Sequence, residues 1–123
     1  MTPRFGDPAV VVSKKNFAER TARSFKVKVR GEEVQGLVVR LGDKFYAYQN
    51  LCQHLPVTLD LNDAKFFTHD KAHLQCHLHG AMYQIETGLC IAGPCEGANL
   101  IRFGIEEEED RLVIRVPESV VQK

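Results

Sequence analysis

The sequence has no long apolar run, no net charge and no evident secretory leader. No segment approaches the roughly 18 consecutive apolar residues that a membrane-spanning helix needs, so we expect no membrane partner. Lys and Arg number 16 and Asp and Glu also number 16, which gives no indication of bulk attraction to nucleic acid. Residues 1–6 are followed by no apolar region and include no twin-arginine pair, and we therefore expect a cytoplasmic protein.

The chain also lacks internal repeats, low-complexity segments and any histidine beyond His79. Its 123 residues fit a single domain spanning 1–123, with 44% apolar and 26% charged residues, as is ordinary for a globular protein. A mononuclear iron site needs two histidines and one carboxylate. The residues after 97 cannot supply such a site, because no histidine follows His79. Four cysteines without a secretory signal favour metal ligation over a disulfide framework.

Charge is distributed unevenly along the chain. Residues 1–50 carry ten Lys and Arg against five Asp and Glu, whereas residues 51–123 carry six against eleven. Five of those eleven acids form one run at 106–110. We interpret this run as a solvated turn between two strands, with a docking patch as the alternative.

Alternating apolar residues and frequent turn residues predict an all-β fold. Strands are expected at 10–13, 25–30, 34–41 and 44–48, and the last three form a meander through turns at 31–32 and 42–43. Further strands are expected at 100–105 and 111–116, joined by the acidic run, whereas residues 14–23 are predicted to form a turn or one helical turn. The base of the domain would comprise about 8–49 and 98–117, and 118–123 would be a frayed tail.

Residues 50–97 differ in character, since they are rich in Cys, His, Pro and Gly and poor in long periodic runs. They are predicted to form an inserted, loop-rich lobe. Short strands are expected within it at 74–76 and 81–85, on either side of a turn at 77–80, followed by another turn at 86–88.

Two compact Cys/His pairs lie in this lobe: Cys52 with His54, and Cys76 with His79, 21 residues apart. Gly80 follows the second pair and lets the backbone pass close to a bound group. Two such turns, face to face, can hold a [2Fe–2S] centre with two thiolates on one iron and two imidazoles on the other. Zn²⁺ is an alternative, although zinc fingers usually pair Cys with Cys and His with His. Unconnected core cysteines and surface histidines are the third interpretation.

The letters CQH at 52–54 and CHLHG at 76–80, followed by GP at 93–94, resemble the Rieske [2Fe–2S] domain family. The resemblance covers nearly the whole chain. It implies a Rieske-type antiparallel β base domain, an inserted cluster-binding lobe and one [2Fe–2S] cluster per chain.

The same resemblance implies roles for individual residues. Cys52 and Cys76 would bind the inner iron, and His54 and His79 would bind the outer, partly exposed iron. The cluster environment would include Gly80, Ala81, Tyr83, Gly93 and Pro94, the last two as the family's proline loop over the cluster.

Departures from the respiratory branch of the family indicate a low reduction potential. That branch has a disulfide between the cluster loops, but Val57 and Leu78 stand at the matching positions here. Ala81 replaces a serine that donates a hydrogen bond to a bridging sulfide, whereas Tyr83 keeps a second donor. Because such donors raise the potential, we expect a value low in the Rieske range of about −150 to +300 mV. This suits soluble Rieske-type ferredoxins of ring-hydroxylating dioxygenase systems better than quinol oxidation.

Three functions stay open. The first is a one-electron carrier that passes electrons from a flavin-dependent reductase to a terminal oxygenase. The second is a small Rieske subunit of a larger redox enzyme such as NADH-dependent nitrite reductase, and the third is a zinc-stabilised binding module. In the first two the chain is an electron-transfer component rather than a catalyst on its own. Cys90 and Cys95 are predicted to be partly buried thiols, with a disulfide between them as the alternative.

Overall fold

The computed structural model describes residues 9–51, 66–68, 70, 72–76, 80–93 and 96–117. These residues contain antiparallel strands and no helix, which confirms the all-β prediction. The strands are β1 (Ala9–Ser13), β2 (Thr21–Val29), β3 (Glu32–Leu41), β4 (Lys44–Gln49), β5 (Leu74–Gln75), β6 (Met82–Tyr83), β7 (Cys90–Ala92), β8 (Gly104–Glu107) and β9 (Arg111–Arg115).

The described strands form three sheets of three strands each, in the orders β1-β9-β8, β2-β3-β4 and β5-β6-β7. The second sheet is the predicted meander, and the strand predicted at 10–13 is β1, which lies at the edge of the first sheet. The predicted strands at 74–76 and 81–85 are present but shorter, and β7 was not predicted. The third sheet lies within 74–92, inside the range expected for the inserted lobe. The division of the chain into base and lobe stays a prediction.

The meander contributes to two hydrophobic cores, one on each of its faces. Leu37, Val39 and Tyr48 belong to a core shared with the third sheet. Val38 and Ala47 belong to a second core, shared with β9. Because successive side chains of a strand point to opposite faces, a strand covered on both sides is apolar at consecutive positions. This is why residues 37–39 are a continuous apolar run.

The β2–β3 turn lies one residue earlier than predicted. Arg30 and Gly31 have φ angles of 53° and 82°, as a two-residue hairpin turn with left-handed central residues requires. Glu32, which was expected in the turn, pairs with Val29 as the first residue of β3.

The prediction of a turn or helical turn over 14–23 is wrong in part, because β2 already begins at Thr21. The segment before it contains no helix. The guanidinium of Arg23 donates hydrogen bonds to the carbonyls of Ser13 (2.8 Å) and Lys15 (2.9 Å). It also lies 4.4 Å from the centroid of the Phe17 ring. Contacts with β2 therefore hold this loop in place of helical hydrogen bonds.

The predicted strand at 100–105 is displaced towards the acidic run, because β8 spans Gly104–Glu107. Leu100 packs into the core beneath the third sheet, whereas Phe103 packs into the other core. The Leu100 N–H donates to the carbonyl of Gly88 and the Phe103 N–H to the carbonyl of Ala47, so this segment bonds to two different neighbours before β8 begins.

The acidic run is partly strand, since its first two residues lie in β8, and the turn is confined to 108–110. Three of its carboxylates pair with cations: Glu106 with Arg115 at 2.6 Å, Glu107 with Lys14 at 2.8 Å, and Glu108 with Arg111. Exposed pairs of this kind contribute about 1 kcal/mol or less each. These pairs favour a solvated sheet edge over a docking patch.

Candidate metal centre

Of the four predicted cluster ligands, Cys76 belongs to the residues that the structure describes. Cys52, His54 and His79 lie outside them, as does Pro94. The described residues alone hold no group of three or more His, Cys, Asp or Glu side chains that could bind a metal ion. The geometry of the site is therefore that of the turn bearing Cys76 and of its surroundings.

Backbone hydrogen bonds close the turn that begins at Cys76. The Cys76 N–H donates to the carbonyl of Ala81 at 2.8 Å, and the Gly80 N–H donates to the carbonyl of Cys76 at 2.9 Å. Gly80 has a φ of 77°, in the left-handed region that glycine adopts without steric cost. The two ends of the segment from 76 to 81 are thus held together, on either side of the predicted turn at 77–80.

The third sheet positions this turn. β5 pairs with β6 so that Gln75 lies opposite Met82, directly below the turn. β6 pairs in turn with β7, where Met82 lies opposite Ala92, and the register shifts between Met82 and Tyr83. Gly93, the first residue of the expected proline loop, therefore leaves the sheet beside the end of the turn that begins at Cys76.

The site has a buried side and an exposed side. Cys76, Ala81 and Tyr83 are fully buried, with exposed fractions of 0%. They share a core with Phe66 and Leu74, and that core includes residues of the meander. Gly80 and Gly93 are exposed at the rim. A buried cysteine on a closed turn fits a thiolate ligand of a cluster whose inner iron is shielded from water.

The chain enters the first predicted ligand segment from a fixed position. Asn50 is buried, and its backbone N–H donates to the carbonyl of Gln35 at 2.8 Å. The Leu51 N–H donates to the carbonyl of Gln49 at 2.9 Å. The residue directly before Cys52 is thus attached to the end of β4.

A second turn supports β5 from the other side and was not found from the sequence. The Thr68 hydroxyl donates to Asp70 at 2.7 Å, and the Ala72 N–H donates to the same carboxylate oxygen at 3.0 Å. These hydrogen bonds lower the pKa of Asp70. The Thr68 N–H closes the turn on the carbonyl of His73 at 2.9 Å. An Asp two residues after a Thr is the signal that could have indicated it, because both side chains bond readily to nearby backbone groups.

Cys90 is buried in the core beneath the turn, and its thiol lies 3.2 Å from the carbonyl oxygen of Ala92. Cys95 lies outside the described residues. A pair of thiols in place of a disulfide therefore stays a prediction.

Comparison with known proteins identifies the family. The model of the Rieske [2Fe–2S] domain matches residues 7–116. The chain belongs to this family, and its cofactor is a [2Fe–2S] cluster. Together with the similarity to a solved ferredoxin over 87% of this chain, the match shows that it is a Rieske ferredoxin, an electron carrier. These assignments confirm the expected family and cofactor, and the zinc-stabilised module is not retained.

Solved structures similar to this chain include the ferredoxin of carbazole 1,9a-dioxygenase from Nocardioides aromaticivorans IC177. The two are 27% identical, with a TM-score of 0.65, over 87% of this chain and 94% of that one. A chain in a complex of reduced oxygenase and oxidised ferredoxin of carbazole 1,9a-dioxygenase is 25% identical, with a TM-score of 0.69, over 89% and 94% of the two chains.

The terminal oxygenase of carbazole 1,9a-dioxygenase from Novosphingobium sp. KA1 is also similar. It is 25% identical with a TM-score of 0.67, but only 30% of its length is covered, against 90% of this chain. No curated protein matches the chain. Among the described residues no helix is long and apolar enough to cross a membrane.

Proposed function

We propose that this ferredoxin carries single electrons from a flavin-dependent reductase to a terminal oxygenase of the ring-hydroxylating type. The observation that carries the proposal is the similarity to the ferredoxin of carbazole 1,9a-dioxygenase over 94% of that protein's length. The similar oxygenase is matched over only 30% of its length. The likeness therefore extends over a whole ferredoxin but over only a part of an oxygenase.

We assign Cys52 and Cys76 as ligands of the inner iron, and His54 and His79 as ligands of the outer iron. The burial of Cys76 supports the first assignment, because a thiolate ligand on the water-excluded side suits an inner iron. Once bound, the cluster supplies reversible one-electron chemistry. The protein holds the Cys76 turn closed, and Ala81 and Tyr83 exclude water from its inner side.

The exposed rim supports an exit for the electron on the histidine side. Gly80 is exposed at the end of the turn that bears His79, and it brings no side chain between this turn and a docked partner. A reducing compartment keeps ligand cysteines as thiols, and so we propose a cytoplasmic location.

Single-turnover electron transfer tests this function. The cluster-loaded protein is reduced by NADH through a flavin-dependent ferredoxin reductase and mixed with the oxidised terminal oxygenase of a carbazole 1,9a-dioxygenase system. We expect reoxidation of the ferredoxin in step with reduction of the oxygenase, with that system's own ferredoxin as the positive control. Reoxidation by a sirohaem nitrite reductase, but not by the oxygenase, would contradict the proposal.

A further inference from the structure

We propose that Gly93 is a positioning residue, which sets the location of the ligand-bearing turn at 76–81 through a close backbone contact with Ala81. The proposal goes beyond electron carriage and rests on the assignment of Cys76 as a cluster ligand. It concerns how the protein tunes the cluster, a property that the sequence motif does not specify.

The contact is closer than any side chain at position 93 would allow. A Cβ on Gly93 would lie 2.7 Å from the Cα of Ala81, 3.2 Å from its N and 3.3 Å from its Cβ. Two of these three atoms belong to the backbone, so a smaller residue at 81 cannot relieve the collision. Gly93 also has a φ of 100°, which residues with a side chain rarely adopt.

The loop that carries Gly93 is anchored at both ends. Gly93 directly follows Ala92, the strand partner of Met82. At the far end the Gly97 N–H donates to the carbonyl of Cys90 at 2.9 Å. Because Gly93 directly follows a strand residue that pairs with Met82, a collision at Gly93 would be transmitted to Ala81.

Displacement of Ala81 reaches the proposed ligand directly. The carbonyl of Ala81 accepts the hydrogen bond from the N–H of Cys76, and Ala81 itself is fully buried. A shift at Ala81 would move the Cys76 backbone and open the buried side of the turn to water. Hydrogen bonds to the sulfurs and solvent exposure are two of the factors that set the potential of an iron–sulfur cluster.

Gly97 provides a matched control within the same loop. It has a similar φ of 94°, but a Cβ there would meet no atom within 4 Å. Gly93→Ala and Gly97→Ala therefore impose the same kind of backbone strain, and only Gly93→Ala adds the collision.

The test compares both variants with the wild type as cluster-loaded proteins, with a far-ultraviolet circular dichroism spectrum to establish folding. Iron and acid-labile sulfide per chain, the midpoint potential and the EPR signal of the reduced protein are measured. We expect Gly93→Ala to be folded and to show a raised potential with a shifted EPR signal, because water gains access to the reduced cluster. The shift should be several times that of Gly97→Ala.

Ala81→Val enlarges the other partner of the same contact, and Ala81 does not have a positive φ. It should therefore raise the potential, as Gly93→Ala does, without added backbone strain. Equal potentials and EPR signals for Gly93→Ala, Ala81→Val and Gly97→Ala would overturn the proposal. Unfolding of both Gly93→Ala and Ala81→Val would also overturn it, because the contact would then support the fold instead of tuning the cluster. Wild-type protein without iron and sulfide would instead overturn the site assignment itself.

Discussion

The hydroxyl of Tyr48 donates a 2.6 Å hydrogen bond to the backbone carbonyl of Ile85. Tyr48 lies in β4 of the meander, and Ile85 begins the turn that follows β6. Both residues are buried in the core that the meander shares with the third sheet. Gly88 packs against the Tyr48 ring so closely that a Cβ there would lie 2.9 Å from a ring carbon. The bond thus joins the meander to the third sheet, which adjoins the turn that begins at Cys76.

Tyr48→Phe should lower the free energy of unfolding by about 1–3 kcal/mol, because it leaves the buried Ile85 carbonyl without this donor. Urea denaturation monitored by circular dichroism measures the change. Tyr46→Phe is the matched control, since Tyr46 lies two residues away on the same strand and is only half-buried. We expect the control to change stability by less than about 0.5 kcal/mol. Equal effects of the two variants would show that the Tyr48 hydrogen bond contributes little.

Stability should fall as the pH rises above about 10, the ordinary pKa of tyrosine. Burial raises the pKa of Tyr48 well above that value. The unfolded chain then releases the Tyr48 proton at a lower pH than the folded protein does, so high pH favours unfolding. Unfolding free energies at about pH 8 and about pH 11 check this prediction. Tyr48→Phe should lose less stability between these two values than the wild type, and an equal or greater loss would contradict it.

Ala81→Ser should raise the midpoint potential, because a hydroxyl beside the turn can donate to a cluster sulfur and stabilise the reduced form. Ala81 is fully buried, and its carbonyl accepts the hydrogen bond from the N–H of Cys76, the proposed ligand. Ala47→Ser makes the same chemical change at a buried site in the other core. Voltammetry of the two variants should show a rise for Ala81→Ser only. A fall, or equal values for both, would count against a hydrogen bond from position 81.

His79→Cys should either lose the cluster or shift its potential and EPR signal towards those of an all-thiolate centre, at about −400 mV for plant-type ferredoxins. His73→Cys is the control, because His73 lies outside both Cys/His pairs. We expect this substitution to leave the spectrum unchanged. A wild-type spectrum for His79→Cys would show that His79 is not a ligand.

Gly36→Ala should lower the free energy of unfolding by about 1–3 kcal/mol through overpacking within the meander. Gly36 lies opposite Phe25 across the β2–β3 ladder, and a Cβ there would collide with the tip of the Phe25 ring. Phe25→Leu removes that tip. Unfolding free energies of both single variants and the double variant form a cycle, in which Gly36→Ala should cost less in the Phe25→Leu background than in the wild type. Strict additivity would show that the ring does not cause the destabilisation.

The meander could be predicted from sequence because its determinants are local. Phe25, Val27 and Val29 alternate with cations, and Gly42 marks a turn with a φ of 62°. The family was equally accessible, because its motif consists of two short Cys/His pairs. Local periodicity and compact motifs can be recognised in a sequence without knowledge of tertiary contacts.

Other features could not be predicted, because they depend on partners far away along the chain. Leu100 and Phe103 suggest one strand, but their backbone N–H groups donate to Gly88 and Ala47, two partners that the local pattern does not reveal. The Tyr48–Ile85 bond joins residues 37 positions apart. The approach of Gly93 to Ala81 depends on the register of β6 and β7, which a three-residue strand does not specify.

The most direct test of the account is the metal content and spectrum of folded protein made with ample iron and kept anaerobic. We expect about two irons and about two acid-labile sulfides per chain, with a visible spectrum and a reduced-state EPR signal of the Rieske type. A folded, colourless protein with no sulfide and one zinc ion per chain would contradict it.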